Sequence, residues 1–194
     1  MSRLQLYSEQ ELVAMLRQGD ASALGEVYAR YANYLTAVCS RYIVEDEDVR
    51  DVLQESFIKI FTKADTFRYV GEGSLKAWMT QVTVNEALQY LRNKRRQGLV
   101  VFDDERLTDR SDEPDEEEPD ISQLSTDELF DLIRELPPGY RAVFNLYVIE
   151  GKRHKEIAQL LGIQEATSAS QLMRAKRQLA KRIREYITQK QETR

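Results

Sequence analysis

The sequence predicts an all-α protein built as two small helical domains joined by a flexible acidic linker. Three observations predict it. Apolar residues recur at helical spacing through both halves, and no strand pattern competes with them. The stretch Asp103–Asp120 carries 11 acidic and 2 basic side chains and almost nothing apolar, so it cannot bury enough surface to offset its ordering entropy. Beyond it, Pro137-Pro138-Gly139, Gly151 and Gly162 cut the chain into short helices, the last two separated by a tight glycine turn. The predicted boundaries are 1–97 for the first domain, 98–124 for the linker and 125–194 for the second.

In the first domain the periodicity predicts helices near 8–18, 20–43, 46–63 and 74–96. Asp65–Gly73 reads as a loop with two glycines, and Ser74 as the N-cap of the helix that follows. In the second, helices are predicted near 125–136, 140–150, 154–161 and 166–189.

Composition narrows the function classes. The chain has 194 residues, 42% hydrophobic and 31% charged, with one Cys and one His. Those counts exclude an internal disulfide and a Cys/His zinc site, so no metal and no cofactor is expected. Cys39, in the apolar run Leu35-Thr-Ala-Val-Cys39, reads as a small core residue. No apolar run approaches the ~18 residues of a membrane span, and the N-terminus lacks the apolar core of a signal peptide, which predicts a cytoplasmic protein without membrane insertion. No nucleophile or carboxylate is placed with His154, and the acidic run has no His to complete a metal site, so neither a catalytic residue nor a small-molecule substrate is expected. The net charge of -5 hides an asymmetry: residues 1–102 are neutral, 103–120 carry -9 and 121–194 carry +4. A basic end of this kind suits a polyelectrolyte partner.

Three surfaces carry chemistry. On the last helix a wheel centred on Leu172 buries Leu172, Ala175, Leu179 and Ile183 and turns Ser170, Arg174, Arg177 and Lys181 outward, with Thr167 and Gln171 at the edge. Short polar residues precede cations, an order that suits base edges near the helix N-terminus and phosphates further along. Lys152, Arg153, His154 and Lys155 open the supporting helix and join the same DNA-facing set. A solvated basic face on a C-terminal helix is the bland alternative. On the helix near 46–63, Ile58 lies about 180° from buried Val49 among Asp51, Gln54 and Glu55. An exposed aliphatic with a polar rim fits a protein-docking patch, although one exposed Ile alone commonly means nothing. On the helix near 74–96 a stripe runs Trp78, Val82, Asn85, Gln89, Arg92, Arg96, with Lys94 and Arg95 beside its basic end. Amides address base edges and cations hold phosphates, while Phe67, Arg68 and Tyr69 in the preceding loop offer rings to an unpaired base. Against this, Trp78 also reads as core, Phe67 as a loop anchor and the terminal cations as a dipole cap.

Taken in order, these strings resemble the sigma factors of bacterial RNA polymerase, in particular the extracytoplasmic-function group that keeps only the second and fourth conserved regions. Leu24-Gly-Glu-Val-Tyr-Ala-Arg-Tyr31, Asp51-Val-Leu-Gln-Glu-Ser-Phe-Ile-Lys-Ile-Phe61 and Ser74-Leu-Lys-Ala-Trp78 with Asn85 and Leu91-Arg92 resemble region two. Leu136-Pro-Pro-Gly-Tyr-Arg-Ala-Val-Phe144 and Gly151–Arg177 resemble region four. The resemblance implies docking of the Asp51/Gln54/Glu55/Ile58 face on polymerase core, opening of the promoter −10 element by 67–96, and reading of the −35 duplex by 154–177. It also implies an anti-sigma partner, and an acidic linker threading the polymerase channels. Ala169 and Gln171 stand where the family often has basic residues, Gln89 where an acidic residue or Asn is frequent, and Lys152-Arg153 where an aromatic–small pair is common. A stand-alone helix-turn-helix regulator is the alternative; it would need a dimer and a palindrome, and the chain offers no dimerisation heptad.

Overall fold

The computed structural model describes residues 7–102 and 119–192, and the acidic run 103–118 lies outside the described residues. All regular structure among the described residues is helical. The chain divides into two compact units between Tyr90 and Leu91, inside a helix and ahead of the expected boundary at 97.

The first unit is built from α1 (Glu9–Arg17), α2 (Ala21–Ser40), α3 (Asp46–Thr62) and the greater part of α4 (Ser74–Arg96). A capping box starts α1: Glu11 N–H donates to Ser8 Oγ at 3.2 Å and Ser8 N–H donates to the Glu11 carboxylate at 2.8 Å. Asp20 caps α2 by accepting from Ser22 N–H at 2.8 Å. Helix α2 stops at Ser40, short of the expected 43, and Tyr42 and Ile43 then turn into the core, 0% and 3% exposed. Three acidic residues in the first turn of α3 suit the positive end of its dipole. Leu12, Leu16, Val27, Leu35, Phe57, Ile60 and Met79 form one apolar cluster. Cys39 is fully buried, and burial pushes its thiol up to about 12, which leaves it an inert core residue.

The second unit holds a short 3-10 turn (Ile121–Gln123), α5 (Thr126–Arg134), α6 (Pro138–Phe144), a π-wound segment (Asn145–Ile149), α7 (His154–Leu161) and α8 (Glu165–Glu192). Ser125 and Glu128 form the capping box of α5. Pro138 takes the first position of α6, where a missing N–H costs nothing, so this helix starts two residues before the expected 140. The single helix expected over 140–150 changes winding at Asn145: its buried side-chain amide donates to the Arg141 carbonyl at 2.8 Å, and Glu150 N–H reaches back to the Asn145 carbonyl. Buried Arg141 donates to the carbonyls of Arg134 (2.6 Å) and Leu136 (3.0 Å), satisfying the end of α5, and its burial lowers it to about 10. Part of the expected linker is packed: Phe102 is 2% exposed, and a Cβ on Gly139 would lie 3.3 Å from its ring. Apolar burial of that ring, absent from a polar linker, is what holds the chain there.

Candidate nucleic-acid interface

The turn between α7 and α8 is made by Gly162, whose φ of +67° is a conformation that a side chain disfavours. Ile157 and Leu161, both fully buried, fix α7 against α8. At the start of α7, His154 Nδ1 lies 3.0 Å from the buried Ser168 hydroxyl of α8, and its ring stacks on Tyr147 at 4.8 Å between centroids. Lys152 is half-buried, while Arg153 and Lys155 are exposed. On α8, Arg177 and Lys181 are exposed, and Thr167, Ser170 and Arg174 are half-buried; the Ser170 hydroxyl donates to the Thr167 carbonyl at 3.0 Å.

Gln171 departs from the wheel. It is 2% exposed, seated where Gly139 has no side chain, so its amide is withdrawn from the outer face. With Ser168 and Gln171 inside, the outer face of α8 shifts toward Ala169, Met173 (54% exposed), Lys176 and Arg177. A helical wheel centred on Leu172 does not bring out Lys176 and Met173, because it leaves Ser168 and Gln171 off the buried side. Nothing in the local sequence reveals that His154 is stacked on Tyr147 and paired with Ser168.

In the first unit, Phe67 is 7% exposed and packs on Trp78 with ring centroids 5.0 Å apart. Its apolar ring gains more from this contact than from solvent, so it anchors the loop from inside and cannot offer a stacking face. The outer part of the loop is Arg68, half-buried Tyr69 and Val70, which is 78% exposed. Burial and the Glu72 and Glu9 carboxylates raise the Tyr69 phenol above its ordinary value. Along α4, Asn85 is exposed and accepts from Gln81 at 3.1 Å, while Trp78, Val82 and Gln89 are half-buried. Ser74 is not the cap of α4: it is already helical and its hydroxyl donates to the Gly71 carbonyl at 2.6 Å. The basic end of α4 belongs to the second unit, and within that unit Arg92 donates to the Leu160 carbonyl at 2.7 Å and Arg95 to that of Gly162 at 2.8 Å, whereas Arg96 is exposed and Lys94 half-buried.

On α3, Asp51, Gln54 and Glu55 are exposed and Ile58 is 45% exposed. The structure adds a groove of about 870 Å³ between α2 and α3, lined by Tyr28, Leu53, Gln54, Phe57, Ile58 and Phe61 among others. Asp51 and Glu55 lie outside that lining. Tyr28, 58% exposed with its ring 4.9 Å from Phe57, had no periodic signal to reveal it. Among the described residues no group of three or more His, Cys, Asp or Glu is placed to hold a metal ion, and no helix is long and apolar enough to cross a membrane.

Residues 27–97 match the family model for sigma-70 region 2, and residues 126–179 match that for sigma-70 region 4. The chain belongs to the ECF sigma factors. It is 29% identical over 183 residues to the ECF RNA polymerase sigma-E factor of Haemophilus influenzae, a match covering 91% of this chain and 95% of that protein. The sigma-E factor of Escherichia coli K12 is 27% identical, covering 93% and 96%. A solved structure of CnrH in complex with the cytosolic domain of CnrY is 21% identical, with 89% and 94% covered and a TM-score of 0.43. As a sigma factor the protein confers promoter specificity on bacterial RNA polymerase and directs transcription initiation. The family regulates polymerase without catalysis of its own. Region 2 in front of the helix-turn-helix sets aside the stand-alone regulator.

Proposed function

We propose that the two units divide a bipartite promoter between them on the surface of polymerase core. The observation that carries this reading is the exposed edge of α8, where Lys176, Arg177 and Lys181 follow the small residues Ala166 and Ala169 near the helix N-terminus. That order lets a helix end approach base edges in the major groove of the −35 duplex while cations meet phosphates. The small, lean outer face suits a reader whose affinity is shared with polymerase. The first unit meets the −10 element: Arg68, Tyr69 and Val70 face the unpaired strand, Asn85 and Gln89 follow along α4, and Arg96 continues the same helix beyond the division at Tyr90. Arg92, Lys94 and Arg95 belong to the same basic end, where Arg92 and Arg95 also hold the carbonyls of Leu160 and Gly162.

The groove rimmed by Tyr28, Gln54 and Ile58 receives the clamp helices of the largest polymerase subunit, with Asp51 and Glu55 as its charged rim. The acidic run 103–120 occupies the path of nascent RNA and is displaced by the transcript. An anti-sigma protein covers the same groove and the α8 face until induction, and the protein works in the cytoplasm. Transcription in vitro with core polymerase on a genomic library tests the reading. Transcripts sharing a two-part upstream sequence support it. Tight binding to a palindrome without polymerase, and no start sites with it, would overturn it.

A further inference from the structure

The loop before α4 is fastened at both ends by α1. Near its start, an Arg17 guanidinium nitrogen donates to the Phe67 carbonyl. At its end the Glu9 carboxylate, 2% exposed, accepts from the backbone N–H of Gly73 at 2.7 Å and from that of Leu75, with the Ser74 hydroxyl 3.4 Å away. A buried carboxylate without partners is costly, so this one strongly favours the conformation that brings those N–H groups to it. The partners are the unsatisfied donors at the N-terminus of α4, which carry the positive end of its dipole. Glu9 is thus the cap that Ser74 does not supply. The two anchors are about 12 Å apart along α1. Between them Arg68 is exposed and Val70 is 78% exposed, so the clamped loop still projects its tip.

We propose that α1 is the positioning element for DNA opening: Glu9 and Arg17 hold the ends of the loop so that Arg68, Tyr69 and Val70 meet the unpaired strand already ordered. Neither Glu9 nor Arg17 touches DNA. The inference rests on the reading that this loop contacts the opened −10 strand. Its physical content is preorganisation: an unclamped loop has to lose its freedom when the strand is captured, whereas a clamped one lost it on folding.

The test uses the full chain with core polymerase, on a promoter obtained from the library transcription, with 2-aminopurine in the −10 element to report unstacking. Glu9→Gln presents an amide donor to backbone donors; Arg17→Ala removes the other anchor; Arg17→Lys restores one donor. Open-complex formation is expected to fall about tenfold or more in Glu9→Gln and Arg17→Ala and to recover substantially in Arg17→Lys, with core binding and upstream footprint unchanged. In the free chain, amide exchange over 68–75 is expected to accelerate by a similar factor. Wild-type opening in both anchor variants, or unchanged exchange in both, would overturn the inference. Tyr69→Ala separates it from the reading beneath: normal opening in that variant removes the loop from the −10 contact, whereas blocked opening there with normal opening in the anchor variants removes only the clamp. Should Glu9→Gln lose its helical signal, Arg17→Ala, changed at a surface side chain, carries the same comparison.

Discussion

The two units hold their candidate DNA-contacting elements by opposite means. In the second, the turn before α8 is set by neighbours in sequence: Gly162 in the left-handed region, and Ile157 and Leu161 buried beneath it. In the first, the loop before α4 is irregular and has no hydrogen-bond ladder of its own. It is held by Arg17 and Glu9, the latter 66 residues from its partner Leu75. A duplex reader needs a rigid rod at a fixed angle, which local signals supply. A strand-opening loop needs an unusual path, which only side chains from elsewhere can enforce.

Substitutions can break or sharpen this contrast. The largest effect is expected from Leu161→Ala, which empties a fully buried site and destabilises the second unit by about 2–5 kcal/mol, seen as a lower thermal midpoint and loss of upstream-duplex binding. Glu9→Ala leaves backbone donors of α4 without their acceptor and is expected to cost about 1–3 kcal/mol, with faster amide exchange confined to the first unit. If exchange rose equally in both units, the separation drawn here would fail. Gly162→Ala forces a side chain into φ +67° and is expected to cost about 1–2 kcal/mol, read by denaturant unfolding.

The smallest expected effect is a pH dependence in the second unit. Glu128 accepts from Lys190 and from the Tyr186 hydroxyl, both at 2.6 Å, and from Ser125 N–H at 2.7 Å; the Lys190 and Tyr186 bonds lead in lowering its carboxyl from 4.5 to about 2. A depressed carboxyl stabilises the fold above its unfolded value and loses that contribution as pH falls through the folded one. Stability is therefore expected to decline between about pH 4.5 and 2, and Glu128→Gln to flatten that decline in thermal melts. An unchanged slope would remove this group from the acid response.

The same contrast explains what could be read from the residues. The all-helical class, the helix-turn-helix and the exposed Ile58 follow from periodicity and from glycines acting within a turn or two of themselves. The inward ring of Phe67, the burial of Gln171 and the groove at Tyr28 do not. Phe67 lies in a loop with no period, and its place depends on Trp78. Gln171 is drawn inward because Gly139, on another helix, leaves room for it. Tyr28 lines a groove that exists only once α2 and α3 are packed. The cap of α4 misled local reading for the same reason: a serine at the right position was outcompeted by a carboxylate from α1.

The central claim is that the first unit opens DNA and the second reads duplex. Permanganate footprinting of reconstituted transcription complexes tests it most directly, with a loop variant (Arg68→Ala with Tyr69→Ala) set against an α8 variant (Lys176→Ala with Arg177→Ala). The loop variant should keep the upstream footprint and lose reactive thymines in the −10 element. The α8 variant should lose the upstream footprint yet still transcribe from a template opened in advance. Identical defects in the two, or the reverse assignment, would contradict the division of labour.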